Sequence, residues 1–538
     1  MRMWSSPLQA SHRLWMLIFA STLILYLIFS PSIHILHYSG DDFRYSFGGM
    51  TKSCAKNDDY HFMLTIGRPL QTFIDCLGFK FAYTLEGMRV IRIVTVVTIG
   101  VTMGLLADWL YILGFSLGTA FFAAGSLLLI AHLYGDAVPM GAIALPFTLL
   151  LTLMGYRCVN KAHQYFFSYE SRRPAIKWLS LSFLIVLAAL LTYPALAFFF
   201  VTLMLMKLLF SKIIDFNRIK RELLIECLVF ITGCLVYFAF AYYNIHYHAR
   251  TEIPAAYHVG HPNLNIIEMF NRLFLLGNLF SPWWTVSPMS DSNMQGWIMI
   301  AGLLGIMMAP FMLRNSKHEW KNRTSHSGNH FMIHLIQVVM MGVGLFLLSS
   351  AFYLIMPSLD IVENRILYAI VTSGLVLVFW GCWQWKNIFP ARWGRAFIFA
   401  GVAILFLIEG HQASMVTMVN ALSHVEYFND TREAIAHYLQ TGQPLARVHF
   451  VIPKSNAPYG RYALAQAALV SLMNKDSFKL RWCALSSLGN HHTQEAAHCL
   501  ANMRSKDIAV TYSFENEPFL YTRDMVKIQN EFRSLSIG

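Results

Sequence analysis

Long apolar stretches separated by short polar segments dominate the pattern of this chain. A transmembrane helix needs about 20 consecutive apolar residues, and about eleven stretches reach that length. They lie near residues 14–37, 90–108, 112–132, 138–156, 178–194, 195–212, 222–243, 294–313, 332–356, 366–384 and 396–414. The pattern predicts a polytopic α-helical membrane protein with about 11 transmembrane helices.

The composition supports a membrane protein and argues against a nucleic-acid-binding one. Of the 538 residues, 56% are hydrophobic and 13% are charged, whereas about 25% of the residues of a soluble domain are charged. The net charge of +12 would suit nucleic acid, but the basic residues cluster between the apolar stretches and form no basic arm. We therefore expect contact with membrane lipid and none with nucleic acid.

The basic residues also predict the orientation of the chain. Four groups rich in Lys and Arg fall on the same side as the N-terminus, within residues 157–177, 207–221, 314–323 and 386–395. The positive-inside rule makes that side cytoplasmic, and an odd number of spans then places the C-terminus outside. The first span is too long for a signal-peptide core, so we interpret it as a retained helix.

The chain divides into a transmembrane domain, residues 1–414, and a far less apolar segment, residues 415–538. Two longer segments of the first domain, about 38–89 and 244–293, are expected as outer loops. The second segment predicts a small α/β domain on the outer side. Its helices are expected at 430–441, 459–474 and 493–503, and the strands of its partly parallel sheet at 448–452, 479–485 and 507–514.

The eight cysteines divide by location. Cys54 and Cys76 share the first outer loop, and Cys483 and Cys499 share the C-terminal domain. An oxidising outer compartment would let each pair form a disulfide, and free thiols are the alternative. No CxxC or HExxH spacing occurs, so a zinc or cysteine catalytic centre is not predicted.

Two adjacent aspartates, Asp41 and Asp42, follow the first span and precede Arg44. Placing a carboxylate near the hydrocarbon of a membrane costs free energy. We therefore interpret a pair of aspartates at the end of a span as a candidate functional site. A carboxylate beside a dry cavity can hold a pKa suited to deprotonating a sugar hydroxyl. In the structural alternative, Asp42 caps a helix and Arg44 lies at the membrane interface.

Several arginines are expected near the same membrane face. They are Arg68 after Gly67, Arg89 and Arg92 at the head of the second span, and Arg365 at the start of the tenth. Guanidinium groups match phosphate oxygens with paired, charge-assisted hydrogen bonds. Acidic residues and arginines at the same membrane face therefore suit the transfer of a sugar from a lipid-phosphate donor to a hydroxyl acceptor. A plain Gly-Arg-Pro turn and snorkelling of the later arginines are the alternatives.

Tyr193 lies between Thr192 and Pro194 at the outer end of the fifth span. Its ring could stack on a sugar, or it could be an interfacial aromatic beside a turn proline. The second outer loop carries His246 and His248, but the remaining ligands of a metal site are not recognisable. A flap that covers the substrate is the preferred hypothesis for this loop.

At these residues the chain resembles a known family. The apolar first helix, Asp41-Asp42 with Arg44 close by, and Gly67-Arg68 followed by Pro and Leu are similar to the bacterial type II glucosyl transferase family. Those proteins are polytopic GT-C enzymes that modify O-antigen. The resemblance implies a GT-C-like fold in the bacterial inner membrane with a periplasmic C-terminal domain. It also implies undecaprenyl-phosphate-glucose as donor and lipid-linked O-antigen as acceptor, used at the periplasmic face.

The residues and the resemblance together predict a glycosyltransferase that works by single displacement with inversion at the anomeric carbon. The residues assigned to this reaction are Asp41 and Asp42 as candidate general bases, Arg68, Arg89 and Arg365 for the donor phosphate, and Arg44, Gly67 and Tyr193 for substrate. A monophosphate donor presents less charge than a nucleotide diphosphate, so arginines could suffice. No obligatory metal and no other cofactor are expected, and a divalent metal stays open as an alternative.

Two alternative functions stay open. A GT-C transferase could use another donor sugar, such as aminoarabinose or mannose, or act as a polymer ligase. A transporter or flippase for a lipid-linked sugar is a different class, in which inverted repeats and helices interrupted near midspan are expected. The sequence shows neither feature, and the candidate acids lie together at the outer end of the first span, which favours an enzyme.

Overall fold

The structure is a computed structural model of the full chain, and it is mostly helical. It describes residues 7–37, 63–81, 85–129, 138, 142–167, 172–211, 216–248, 263, 265–279, 328–356, 364–384, 391–440, 447–450, 479–482, 507–512 and 518–522. The helices of this part are α1 (Pro7–Ile28), α2 (Ser30–His34), α3 (Pro69–Phe81), α4 (Leu85–Leu113), α5 (Leu117–Leu129), α6 (Ala144–Phe167), α7 (Arg172–Thr192), α8 (Pro194–Ala197), α9 (Phe199–Phe210), α10 (Phe216–His248), α11 (Ile266–Leu279), α12 (Gly328–Leu354), α13 (Asn364–Gln384) and α14 (Ala391–Gln440). The strands are β1 (Arg447–Phe450), β2 (Lys479–Trp482), β3 (Asp507–Tyr512) and β4 (Pro518–Thr522).

The described helices confirm the predicted multi-pass membrane protein. Seven of them, α1, α4, α7, α10, α12, α13 and α14, are long and apolar enough to cross a membrane. Two shorter apolar segments, Leu117–Leu129 and Pro194–Phe210, accompany them. The predicted span at 294–313 lies outside the described residues, and every other predicted span overlaps a helix.

The first span differs from the prediction of one helix through residue 37. Helix α1 ends at Ile28 and the short helix α2 begins at Ser30. Pro31, in the first turn of α2, has no N–H to donate and its ring excludes a continuous helix at this point. The chain therefore turns at the end of α1, and α2 packs against α4 and α14. We call this end of the bundle, where α1 ends and α4 begins, the first-loop end.

Close backbone contact joins α1 to α4. Gly100 and Gly104 stand one turn apart on α4, and a Cβ on either would lie 2.7 Å from the Cα of Thr22 or Ile18 on α1. In a membrane there is no hydrophobic driving force between helices, so close van der Waals packing has to hold them together. Small residues four positions apart allow that packing, because they let the backbones approach closely. The two glycines therefore allow α1 to pack closely against α4.

Buried ion pairs join the helices at the opposite end. Asp108 on α4 pairs with Arg13 of α1 and Arg157 of α6. Lys207 on α9 donates to Glu226 and Glu222 of α10 at 2.5 and 2.8 Å. The clustering of basic residues predicts Lys207 in a loop, but the structure buries this residue between helices.

The C-terminal segment begins on a helix that continues from the membrane domain. Helix α14 runs without a break from Ala391 to Gln440, so it crosses position 414 and includes residues 430–440 of the helix predicted at 430–441. The sheet has the order β2-β1-β3-β4, in which the first three strands are parallel and β4 is antiparallel to β3. The predicted partly parallel sheet is confirmed, and the domain division at 414 stays a prediction.

Candidate functional site

The candidate site is built on a tight turn at the start of α3. The N–H of Gly67 donates to Leu64 O at 3.1 Å, and the N–H of Arg68 donates to Met63 O at 3.0 Å. These two bonds form a Schellman motif, which requires a left-handed residue, and Gly67 supplies it with a φ of +86°. The turn predicted for Gly-Arg-Pro is therefore present, and Pro69 begins α3 directly after it.

Helix α10 packs directly against Gly67. A Cβ at this position would lie 2.9 Å from Ala241 Cβ and 3.2 Å from the Tyr237 hydroxyl oxygen. Real Cβ contacts are longer than the first of these distances, so a side chain at residue 67 would force α3 and α10 apart. Glycine thus satisfies both the backbone conformation and the close approach of α10.

Arg68 is a buried cation stacked on an aromatic ring. Its guanidinium carbon lies 4.3 Å from the centroid of the Tyr193 ring, and the residue is 9% exposed. Within the described part of the chain, its Nε has no hydrogen-bond partner and no carboxylate forms an ion pair with it. A cation–π contact contributes about 0.5–2 kcal/mol, which is small beside the several kcal/mol that it costs to bury an unpaired charge.

Tyr193 is held in place by a break between helices. It is extended between α7 and α8, and its carbonyl oxygen accepts bonds from Leu196 and Ala197 N–H at 3.2 Å each. Pro194 starts α8 because its fixed φ suits a first helical position. The ring is buried against Arg68 rather than exposed at a lipid surface. Its predicted stacking on a sugar stays a prediction.

Arg92 and Arg89 occupy different environments on the same helix. Arg92 is fully buried and donates to Ser32 O at 3.2 Å and to His37 O at 2.8 Å. It therefore does not snorkel, contrary to that alternative. Arg89 lies 3.2 Å from His34 Nδ1 and pairs with Glu86 at 3.4 Å, with 36% of its side chain exposed. Arg89 keeps the solvent access that a substrate-binding residue needs.

The other predicted site residues lie largely outside the described part of the chain. Asp41, Asp42 and Arg44 fall in residues 38–62, and only the backbone of Arg365 is described, at the start of α13. The structure therefore brings together Gly67, Arg68 and Tyr193, and the remaining assignments stay predictions. The packing of Tyr237 against Gly67 was not predicted, because a tyrosine inside an apolar helix carries no signal of its own in a single sequence.

The described residues include no cluster of three His, Cys, Asp or Glu that could hold a metal ion. Cys76 is disulfide-bonded, and its predicted partner Cys54 lies outside the described residues. The other cysteines of the described helices, Cys158, Cys227, Cys234 and Cys382, are free thiols.

Comparison with known proteins finds likeness in structure alone. No protein-family model and no curated protein sequence matches the chain. The oligosaccharyltransferase AglB from Archaeoglobus fulgidus, solved with an inhibitory peptide and a dolichol-phosphate, is 11% identical at a TM-score of 0.35 over 84% of this chain. The chain spans 64% of AglB, which is less than two thirds of that protein.

Two structures of ArnT from Cupriavidus metallidurans are also similar. The apo form is 11% identical at a TM-score of 0.33, over 94% of this chain and 93% of ArnT. The form bound to undecaprenyl phosphate is 13% identical at a TM-score of 0.32, over 92% of each chain.

Proposed function

We propose that this protein is a GT-C-like glycosyltransferase that takes a sugar from a polyprenyl-phosphate donor at the outer face of a bacterial inner membrane. The observation that carries the proposal is Arg68, a buried guanidinium stacked on Tyr193 with no carboxylate partner among the described residues. A phosphate on the donor lipid would supply the missing negative charge and accept hydrogen bonds in the geometry that guanidinium favours.

The distribution of basic residues supports an outer-face reaction. Basic groups flank the spans at the end opposite to Arg68, and the buried pairs of Arg13 and Arg157 with Asp108 lie there too. The positive-inside rule then assigns the first-loop end, and with it Arg68, to the outer face. The C-terminal domain would lie on the same side, where it could help to position a glycan acceptor.

The proposed reaction is a single displacement. An acceptor hydroxyl oxygen attacks the anomeric carbon of the donor sugar while the bond from that carbon to the phosphate oxygen breaks. Asp41 or Asp42 takes the hydroxyl proton as general base. The polyprenyl phosphate leaves with the bonding electrons, and the configuration at the anomeric carbon inverts.

The arginines stabilise the leaving group in this mechanism. Arg68, with Arg89 and Arg365, offsets the negative charge that develops on the phosphate as the bond breaks. The Tyr193 ring orients the Arg68 guanidinium by stacking against it. Gly67 and Arg44 contribute to substrate binding. Guanidinium groups can carry this charge stabilisation, so no obligatory metal is part of the proposal.

The substrates within this class are assigned by resemblance. Undecaprenyl-phosphate-glucose as donor and lipid-linked O-antigen as acceptor follow from the resemblance to the type II glucosyl transferases. Aminoarabinose and mannose are the alternative donor sugars. A flippase for the same lipid-linked sugar is the alternative function, since it would also bind the lipid phosphate.

The test is a transfer assay with the purified protein in proteoliposomes. We expect labelled polyprenyl-phosphate-glucose to yield labelled O-antigen, and Arg68→Ala and at least one of Asp41→Asn and Asp42→Asn to lose most of that transfer. Arg173→Ala is the matched control, since Arg173 is exposed near the opposite end. Translocation of the labelled lipid without any transfer by wild type would overturn the proposal in favour of the flippase.

A further inference from the structure

Helix α11 reverses the usual arrangement of a surface helix. Its charged residue Arg272 is only 2% exposed, whereas Ile266, Ile267 and Phe270 on the opposite face are 68%, 73% and 58% exposed. A helix at the surface of a globular protein buries its apolar face and turns its polar face to water. The outward face of α11 is therefore suited to an apolar surrounding and not to water.

The polar side of α11 is bonded to the end of a membrane span. Arg272 donates to Leu354 O at 3.1 Å and also to Met356 O. Just before the helix, the N–H of Asn263 donates to Ile355 O at 2.9 Å. The last carbonyl groups of a helix have no partner within it, so these donors satisfy the C-terminus of α12. Helix α11 is thereby fixed at the depth at which α12 ends.

That depth is the edge of the hydrocarbon core. The apolar span of α12, Ile336–Leu354, has 19 residues, so it is about 28 Å long, close to the core thickness of about 30 Å. Near its end, the Phe352 ring lies 5.8 Å from that of Phe198, which follows Tyr193 by five residues and belongs to the first-loop end. Helix α11 therefore lies at the boundary between acyl chains and head groups at the first-loop end.

The lipid-facing surface of α12 reaches up to α11. Exposed apolar residues recur along α12 at intervals of one to four positions, as expected for one face of a helix: Ile336, Val339, Met340, Val343 and Leu347. Beyond the last of these, no residue of 348–356 is exposed. This covered part of α12 is the part to which α11 is bonded.

We propose that α11 is an interfacial helix whose Ile266, Ile267 and Phe270 side chains insert among the lipid acyl chains of the leaflet at the first-loop end. Its apolar face then continues the lipid-facing surface of α12, while Arg272 keeps its charge on the protein side. A helix in the interface plane binds the membrane through its buried apolar area. Three exposed apolar residues are few beside the roughly 20–30 residues that each side of a stable protein interface contributes, which favours lipid over a second copy of the chain. This surface does not depend on the proposed reaction.

The first test uses the sign of a charge substitution in the full-length protein in nanodiscs. Ile267 is the second residue of α11, and in water an acid near a helix N-terminus is favourable, whereas among acyl chains a carboxylate is costly. We therefore expect Ile267→Asp to lower the melting temperature. Asn265→Asp is the matched control, because Asn265 accepts the Ile267 N–H at 3.0 Å and Asp caps a helix as well as Asn does. This control should melt as wild type does. A melting temperature of Ile267→Asp equal to or above that of wild type would overturn the proposal.

The second test detects the contact directly. Wild type in nanodiscs is illuminated with a phosphatidylcholine that carries a diazirine in the upper part of one acyl chain, and the adducts are mapped by mass spectrometry. We expect adducts on Ile266, Ile267 and Phe270, with Leu347 of α12 as the positive control. If Leu347 is labelled and α11 is not, the proposal is overturned. Modification of α11 by hydroxyl radicals would then identify water at this face, and a cross-link from α11 to a second copy would identify a protein interface.

Discussion

Arg92 holds the main chain at His37, donating from Nη2 to the His37 carbonyl oxygen at 2.8 Å. Its Nη1 donates to Ser32 O at 3.2 Å, so a single side chain fixes both α2 and the residues that follow it. His37 precedes Asp41 by four residues. Arg92 therefore fixes the position of the main chain shortly before the candidate bases Asp41 and Asp42.

Removing this side chain should destabilise the first-loop end. Arg92→Ala leaves buried carbonyl oxygens without donors, at a cost of about 1–3 kcal/mol each. We expect a clear fall in the apparent stability measured by chemical unfolding in detergent. Arg89→Ala, one turn earlier on α4 and partly exposed, is the control and should lose less than about 1 kcal/mol. Equal losses in the two variants would refute a special role for Arg92.

The ring of Tyr193 should support Arg68 through its face rather than its hydroxyl. Tyr193→Phe keeps the ring beneath the guanidinium, whereas Tyr193→Leu removes it. A cation–π contact of about 0.5–2 kcal/mol corresponds to a change of about 3- to 30-fold. We expect the KM for the lipid donor to rise by such a factor in Tyr193→Leu and to stay near wild type in Tyr193→Phe. A rise in Tyr193→Phe equal to that in Tyr193→Leu would show that the hydroxyl, not the ring, matters.

Gly67 should resist substitution for two separable reasons. Gly67→Ala places a Cβ 2.9 Å from Ala241 Cβ, and it forces alanine into a left-handed conformation that costs about 1–2 kcal/mol. Ala241→Gly in the same chain would relieve the contact but not the backbone cost. We expect the double variant to recover part of the stability lost by Gly67→Ala, as measured by a double-mutant cycle of unfolding. Full recovery would mean that the backbone conformation contributes nothing.

The predictable part of this molecule is the part governed by local chemistry. The spans follow from the lengths of the apolar stretches, and the turn at Gly67 follows from Gly-Arg-Pro, because both depend on neighbours in sequence. Lys207 and Tyr237 could not be predicted, because their environments depend on which helices pack together. The clustering of basic residues assigns Lys207 to a loop, and nothing in the sequence of α10 distinguishes the buried Tyr237 from its exposed neighbours Tyr242 and Tyr243.

Acid should loosen the contact between α11 and the end of α12. Hydrogen bonds from Arg272 and then Asn263 hold the pKa of Glu268 below its usual range, and Arg272 in turn donates to Leu354 O at 3.1 Å. A carboxyl with a lowered folded-state pKa stabilises the fold above its unfolded pKa, about 4.3, and loses that contribution as the pH falls through the folded value.

The measurement is hydrogen exchange of α11, corrected for the intrinsic rate at each pH. We expect its free energy of opening to be constant from neutral pH down to about pH 5 and to fall below about pH 4. Glu268→Gln should remove most of this pH dependence. A wild-type opening energy that does not change between pH 7 and pH 3.5 would contradict the prediction.

Removing only Lys207 from its buried charge cluster should destabilise the fold more than replacing the lysine and its two glutamates together. Lys207 Nζ donates to Glu226 at 2.5 Å and to Glu222 at 2.8 Å, and His163 Nε2 lies 3.1 Å from the same Glu226 oxygen. Lys207→Met leaves carboxylates buried without their cation, which costs about 3–5 kcal/mol. The triple variant Lys207→Met, Glu222→Gln and Glu226→Gln removes the charges together, so it should unfold within about 1–2 kcal/mol of wild type. If the triple variant is less stable than Lys207→Met alone, the cluster contributes through its attraction and hydrogen bonds, and desolvation is not the dominant effect.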